Sequence, residues 1–153
     1  MKKVILFLLA IFITNTVFAQ LNVTSRNRQP EKVMSIRPGY SQLYYDVEKS
    51  DTLYYFSINT DNRFDIPIYF AIGYGKSSAI LSVKELIEFA EQGNKGEETI
   101  SVPGLYTENK IYINTAAVFG IKGLLLTQKG HAGVSNLNLG ELKKVLKKLE
   151  DRK

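Results

Sequence analysis

A short run of glycines around a lysine is the part of this sequence that most suggests chemistry. Gly73-Tyr74-Gly75-Lys76-Ser77-Ser78 ends in the Gly-Lys-Ser that closes a phosphate-binding loop. That motif requires a further glycine five residues upstream, where this sequence has Phe70. The next helical pattern starts near Ser82, too late for its N-terminus to hold a phosphate. We therefore expect a flexible connection, whose Tyr74 and Lys76 could contact a ligand.

The chain contains one histidine, His131, and no cysteine. A metal site built on two or more histidines is therefore excluded. Residues 61–65 supply acidic and amide side chains but lack the glycine and the closing glutamate of a calcium-binding loop. Turns contain Asp and Asn for backbone reasons alone, so we expect no metal and no cofactor.

His131 could serve as a general base for a serine nucleophile, but no Gly-x-Ser-x-Gly motif accompanies it. Its neighbours, residues 129–133, are typical of a mobile loop, which positions catalytic groups poorly. Paired carboxylates could support glycoside hydrolysis, and the nearest candidate pairs are Asp46 with Glu48 and Glu97 with Glu98. A small periplasmic or secreted hydrolase that uses carboxylates or His131 is therefore the alternative function.

Nine tyrosines form the remaining functional signal. Tyr44 and Tyr45 are adjacent, as are Tyr54 and Tyr55, so each pair would place one ring on each face of a sheet. Exposed tyrosines favour binding surfaces, although aromatic residues also favour strands as such. The candidate binding residues are Tyr44, Tyr54, Tyr74, Lys76 and His131.

The N-terminus predicts export. A basic start, an apolar run at residues 4–13 and small residues ending at Ala19 are typical of a secretory signal peptide spanning residues 1–19. The run is shorter than the ~20 residues that cross a membrane, and no later stretch is long enough. Without a cysteine after the cleavage site, a lipoprotein is not expected. We predict a periplasmic or secreted protein with no transmembrane span after cleavage.

The charge of the chain predicts little about its partner. Removal of Lys2 and Lys3 with the signal peptide lowers the formal charge from +5 to +3. This mild basic bias does not suggest a nucleic acid. The expected partner is an envelope or extracellular protein or a small ligand.

Alternating apolar residues predict a series of strands after a flexible arm at residues 20–30. The predicted strands are 31–37, 43–47, 53–58, 66–72, 98–102, 110–114 and 121–127. One helix should begin at a capping box of Ser82 and Glu85 and end near Gly93. A second loop, residues 128–136, should precede a last helix capped by Asn138 and Glu141. The residues expected on its buried stripe are Leu139, Leu142, Val145, Leu146 and Leu149, and those expected on its exposed face are Lys143, Lys144, Lys147 and Lys148.

Together these elements predict a single α+β domain over residues 31–153. Its core would be an antiparallel, aromatic-rich sheet of roughly six to seven strands with two helices packed on it. A weak internal duplication, at an offset of about 55 residues, would make strand 66–72 the counterpart of strand 121–127. The two strand–loop–helix units would then pack side by side on one sheet or on two facing sheets. The expected function is that of a non-enzymatic binding or interaction domain.

Overall fold

The structure is a computed structural model that describes residues 30–48, 51–92, 99–118 and 120–152. The proposed signal peptide at residues 1–19 lies outside the described residues, as do almost all of the predicted arm at 20–30 and the pair Glu97 and Glu98. The fold below is that of the described ranges.

The first half of the chain forms an antiparallel sheet followed by a helix. The strands lie side by side in chain order. They are β1 (Glu31–Arg37), β2 (Ser41–Glu48), β3 (Asp51–Ile58) and β4 (Ile68–Tyr74). Helix α1 (Gly75–Gln92) follows β4 directly.

The second half repeats this order of elements. Its strands are β5 (Thr99–Pro103), β6 (Lys110–Val118), β7 (Ile121–Gln128) and β8 (Ser135–Asn138), again in chain order and antiparallel. Helix α2 (Leu139–Asp151) follows β8. The α+β class is confirmed, but the described residues form two four-stranded sheets rather than one sheet of six to seven strands.

The two sheets and both helices share one apolar core. Alternate residues of the strands face inward, as the side-chain period of a strand requires, and the rings of Phe56 and Phe70 lie 5.0 Å apart there. Helix α1 packs on β3, β4, β6 and β7, while α2 packs on β1, β7, β8 and α1. One cluster contains buried residues of both halves, including Ile58, Ile113 and Leu142.

Helix α1 begins earlier than the sequence pattern predicts. It starts at Gly75, and Ser82 with Glu85 lies inside it, so the predicted capping box and the predicted loop at 73–78 are wrong. Gly73 and Gly75 have φ angles of 145° and 74°, which side chains disfavour and glycine accepts. These two glycines let the chain pass from strand to helix without a connecting loop.

Helix α2 matches the prediction closely. Asn138 and Glu141 form the expected capping box. Of the five residues of the expected stripe, Leu142, Val145 and Leu149 are buried, whereas Leu139 and Leu146 are only partly buried. Lysines 143, 144, 147 and 148 are exposed. The predicted loop 128–136 overlaps β8, which the sequence pattern does not indicate.

The proposed alignment of the two halves is not confirmed. Strand 66–72 corresponds to β4, the fourth strand of its sheet, whereas 121–127 corresponds to β7, the third strand of the other sheet. Neither α1 nor α2 combines the length and apolar character that a membrane-crossing helix needs.

Candidate functional site

Two loops at one end of the molecule are bound to each other. We call them the loop pair: the β3–β4 loop (residues 59–67) and the β7–β8 loop (residues 129–134). The backbone N–H of Asp61 donates to the Val134 carbonyl at 2.9 Å, and the Val134 N–H donates to Asp61 Oδ1 at 2.8 Å. Ser135 Oγ donates to the Asn59 carbonyl at 2.6 Å. The loops therefore hold each other in one geometry.

The carboxylate of Asp65 is the centre of this contact. It accepts backbone N–H groups from Gly133 at 2.8 Å and from Ala132 at 3.3 Å. The side chains of Thr60 and Asn62 donate to it at 2.9 Å and 3.3 Å. The bond from Gly133 is the main cause that holds the pKa of Asp65 below its ordinary value, because bonds to the ionised form favour that form.

Gly133 allows the loops to approach this closely. A Cβ atom at residue 133 would lie 2.4 Å from Asp61 Oδ1 and 2.7 Å from the Asn62 nitrogen. His131 adds a further contact, because its Nε2 donates to the Ile66 carbonyl at 2.9 Å. The predicted loop histidine is therefore part of the loop pair.

The loop pair presents an exposed apolar tip, which we define as Arg63, Phe64 and Ile66. Phe64 is 80% exposed and Ile66 is 65% exposed. The Arg63 guanidinium lies 4.7 Å from the centre of the Phe64 ring. The tip is folded as a turn, in which the Asp65 N–H donates to the Asn62 carbonyl at 3.1 Å. Large apolar side chains on a fixed backbone suit binding, because little conformational freedom remains to be lost.

The sequence pattern missed this tip. Residues 61–65 contain Asp and Asn in the order typical of a turn, and their chemistry first suggests calcium. Among the described residues, no group of three or more histidine, aspartate or glutamate side chains is placed to hold a metal ion. The signal that could have identified the tip is the pair of large apolar residues, Phe64 and Ile66, inside a polar turn.

The outer face of the first sheet carries the expected tyrosines, but a loop covers much of it. The rings of Tyr44 and Tyr55 stack at 5.7 Å, and Tyr106 from the β5–β6 loop meets Tyr55 edge-on at 6.0 Å. The Leu105 N–H donates to the Tyr69 carbonyl at 2.9 Å, which fixes that loop on β4. Burial, with Tyr106 as a further cause, raises the pKa of Tyr55. Tyr44 is half-buried in this cluster.

Tyr54 and Tyr74 differ in what they can present to a partner. Tyr54 is 5% exposed and belongs to the main core, so it is removed from the candidate binding residues. Its ring lies 6.0 Å from that of Tyr45. Tyr74, at the end of β4, is exposed.

Lys76 lies in the first turn of α1, directly after a strand. This corrects the expectation that the helix starts too late to reach a phosphate. The amino group is nevertheless engaged, because Nζ donates to the Glu150 carbonyl at 3.2 Å and to the Arg152 carbonyl. Lys76 therefore binds the C-terminal end of α2. A cation is favoured there because the last carbonyl groups of a helix have no hydrogen-bond partner within the helix.

The chain was compared with protein-family models, with curated proteins and with solved structures, and none of these comparisons found a match. The structure brings His131 together with Asp61 and Asp65 in the loop pair, while Tyr44, Tyr74 and Lys76 lie elsewhere.

Proposed function

We propose that this chain is an exported, non-enzymatic binding domain that contacts an envelope or extracellular protein through the exposed apolar tip of Arg63, Phe64 and Ile66. The supporting observation is the exposure of Phe64 and Ile66 on a backbone that the neighbouring loop holds in place. Export is supported by the order of basic, apolar and small residues at positions 1–19.

The bonding of the polar groups in the loop pair favours binding over hydrolysis. His131 Nε2 is bound to a carbonyl, and Asp65 accepts four hydrogen bonds. A general base must be able to reach the proton that it abstracts. These groups are occupied in holding the loops together, which leaves the tip side chains as the part that faces outward.

The tip also indicates the chemistry of its partner. Phe64 and Ile66 would enter an apolar socket, where aromatic and aliphatic anchors contribute most of the binding energy. Arg63 beside the Phe64 ring would meet a carboxylate at the rim of that socket, because guanidinium groups pair with carboxylates in fixed geometry. We therefore expect a protein partner with an apolar pocket and an acidic rim.

The test is affinity capture with the tagged protein from an envelope extract, followed by quantitative mass spectrometry. Phe64→Ala and Ile66→Ala should each reduce recovery of the partner by about tenfold or more, as expected for anchor residues. Leu81→Ala is the matched control, because Leu81 is also a large apolar residue, 60% exposed, but lies on α1. It should leave recovery unchanged.

Asp65→Ala provides a second test of the same site. It removes the acceptor that orders the loops but keeps the three tip side chains. We expect weaker capture with an intact fold, since a less ordered tip loses more freedom on binding. Equal recovery of the partner by the wild type and by both tip variants would contradict the proposed site.

A further inference from the structure

The exposed faces of the two helices carry opposite charges. On α1, Glu85 and Glu88 are exposed about one helical turn apart, on the side away from the buried residues of that helix. On α2, Lys144, Lys147 and Lys148 are exposed in the same way. We name the two glutamates the acidic ridge and the three lysines the basic ridge. Because α1 packs on α2, the two ridges belong to neighbouring helices.

Two ion pairs fix how the helices lie against each other. Lys143 Nζ lies 2.9 Å from Glu91 Oε1, and Lys84 Nζ lies 3.4 Å from Glu150 Oε1. The start of α2 is therefore beside the end of α1, and the end of α2 is beside the middle of α1. The helices run antiparallel, and the residues of the two ridges belong to neither ion pair.

The same ion pairs show that the ridges lie at equal height along the helices. Both helices rise by the same distance per residue. Counted from the two ion pairs, the acidic ridge spans the levels of residues 146 to 149 on α2. Lys147 and Lys148 lie within that span. The molecule therefore presents negative and positive side chains next to each other at the same levels.

We propose that this helix face binds a second copy of the chain in a two-fold symmetric dimer, with the acidic ridge of each copy on the basic ridge of the other. A two-fold axis that runs along the helices keeps the level of every residue and places α1 against α2. It therefore brings Glu85 and Glu88 of one copy opposite Lys147 and Lys148 of the other, and symmetry repeats this contact. A two-fold axis that crosses the helices would place α1 against α1, with like charges in contact.

The presence of both charges on one face selects a second copy over other partners. A two-fold interface uses the same patch on both subunits, so that patch must be complementary to itself, as the two ridges are. An anionic surface, such as lipid headgroups, would be attracted by the basic ridge but repelled by the acidic ridge beside it. The inference does not rest on the proposed function, because the ridges lie on the helices and the apolar tip lies on a loop.

The dimer should be weak and sensitive to salt, because exposed ion pairs contribute little and are screened by ions. The test is sedimentation velocity of the protein over a range of concentrations. It compares about 0.01 M with about 1 M NaCl, where electrostatic interactions decay over ~30 Å and ~3 Å. We expect a dimer that forms with rising concentration at low salt and a monomer at high salt.

Charge reversal then tests the pairing of the ridges. Glu88→Lys and Lys147→Glu should each weaken the dimer about tenfold or more at low salt, because each puts like charges in contact. The double variant, with both changes, should regain the affinity of the wild type. Its ridges are again complementary and its net charge equals that of the wild type, so recovery also shows that the changes leave the helices folded.

Glu108→Lys and Lys129→Glu are the matched controls, because both residues are exposed on loops and each change alters the net charge equally. Neither should change dimer formation. A protein that stays monomeric at low salt at every soluble concentration would overturn the proposal. Equal weakening by Glu88→Lys and Glu108→Lys would also overturn it, since net charge alone would then control association. A double variant that fails to regain affinity would show that the ridges do not face each other.

Discussion

Arg37 at the end of β1 holds Glu141 in the first turn of α2 with two hydrogen bonds. Nε lies 2.8 Å from Oε1, and Nη2 lies 2.9 Å from Oε2. Glu141 is 7% exposed, and its Oε2 also accepts the Asn138 N–H at 2.9 Å. The carboxylate therefore caps its own helix and binds that helix to the first sheet.

Arg37→Ala should lower the free energy of unfolding by about 2–3 kcal/mol. This value lies between those for exposed and for fully buried ion pairs, because Arg37 is partly exposed while Glu141 is buried. Urea denaturation measures it. The double variant Arg37→Leu with Glu141→Gln should be more stable than Arg37→Ala, since glutamine keeps the capping box and no charge stays unpaired. If the double variant were less stable than Arg37→Ala, the unpaired charge of Glu141 would not be the cause of the stability lost in Arg37→Ala.

Asp65 should make stability depend on acid pH. Its pKa is lowered in the folded state, so its stabilisation is present above the unfolded value of 3.8 and is lost as pH falls through the folded value. Between about pH 6 and about pH 2, the free energy of unfolding should fall more steeply for the wild type than for Asp65→Asn, as measured by denaturation at each pH. Asp151→Asn, an exposed carboxylate on α2, should follow the wild type. Identical curves for the wild type and Asp65→Asn would contradict the assigned bonds.

Tyr55 should stay protonated until the protein unfolds at alkaline pH. Its folded pKa is raised above the ordinary 10.0. Its contribution to stability is therefore present below that value and is lost as pH rises through the folded one. Tyrosinate absorbance should show a late phase that appears only on unfolding and includes the ionisation of Tyr55. Tyr106→Ala should bring its ionisation closer to the ordinary value, because removal of Tyr106 exposes the Tyr55 ring to water. Tyr112→Ala should leave this late phase unchanged.

Leu142→Ala should lower the free energy of unfolding by about 2–5 kcal/mol, because Leu142 is fully buried in the shared core. Leu146 is only partly buried, and Leu146→Ala should cost about 1–2 kcal/mol. Chemical denaturation of both variants checks the orientation of α2. The exposed Leu81 is the reference, and Leu81→Ala should be nearly neutral. A larger loss for Leu146→Ala than for Leu142→Ala would show that the helix face is wrongly assigned.

Local patterns were sufficient for most strands and for α2. The Asn138 and Glu141 capping box and the apolar stripe follow from spacing within one helix. The capping box is confirmed, and the stripe is confirmed at Leu142, Val145 and Leu149. The adjacent tyrosines do alternate between faces, with Tyr54 in the core and Tyr55 on the outer face. The sequence could not tell which ring faces inward, because that depends on what packs against each face.

Two predictions from the sequence are wrong for physical reasons: the loop at residues 73–78 and the loop at residues 128–136. Gly73 and Gly75 are typical of a loop, but their positive φ angles instead allow an immediate change from strand to helix. Strand β8 has four residues, too few for a clear alternation. It forms because β7 offers it an edge to pair with.

The candidate site depends on contacts that no local pattern contains. Asp65 and Gly133 are 68 positions apart and meet only because the two sheets bring their loops to the same end. His131 could be selected as unusual from composition alone, but its bond to the Ile66 carbonyl could not. Phe64 became a candidate only when its exposure was known.

The shared core also determines how the chain could be divided. Each half supplies a helix that packs on strands of the other half, as α1 does on β6 and β7 and as α2 does on β1. Neither half can therefore bury its own apolar surface alone, and in this respect the halves resemble subunits of an obligate complex, although each has the same order of elements. A polypeptide that contains only one half would expose the apolar residues that the other half covers in the whole domain. Two such fragments produced together should associate and bury that surface. Both halves are therefore needed for a folded unit that can be transferred to another protein.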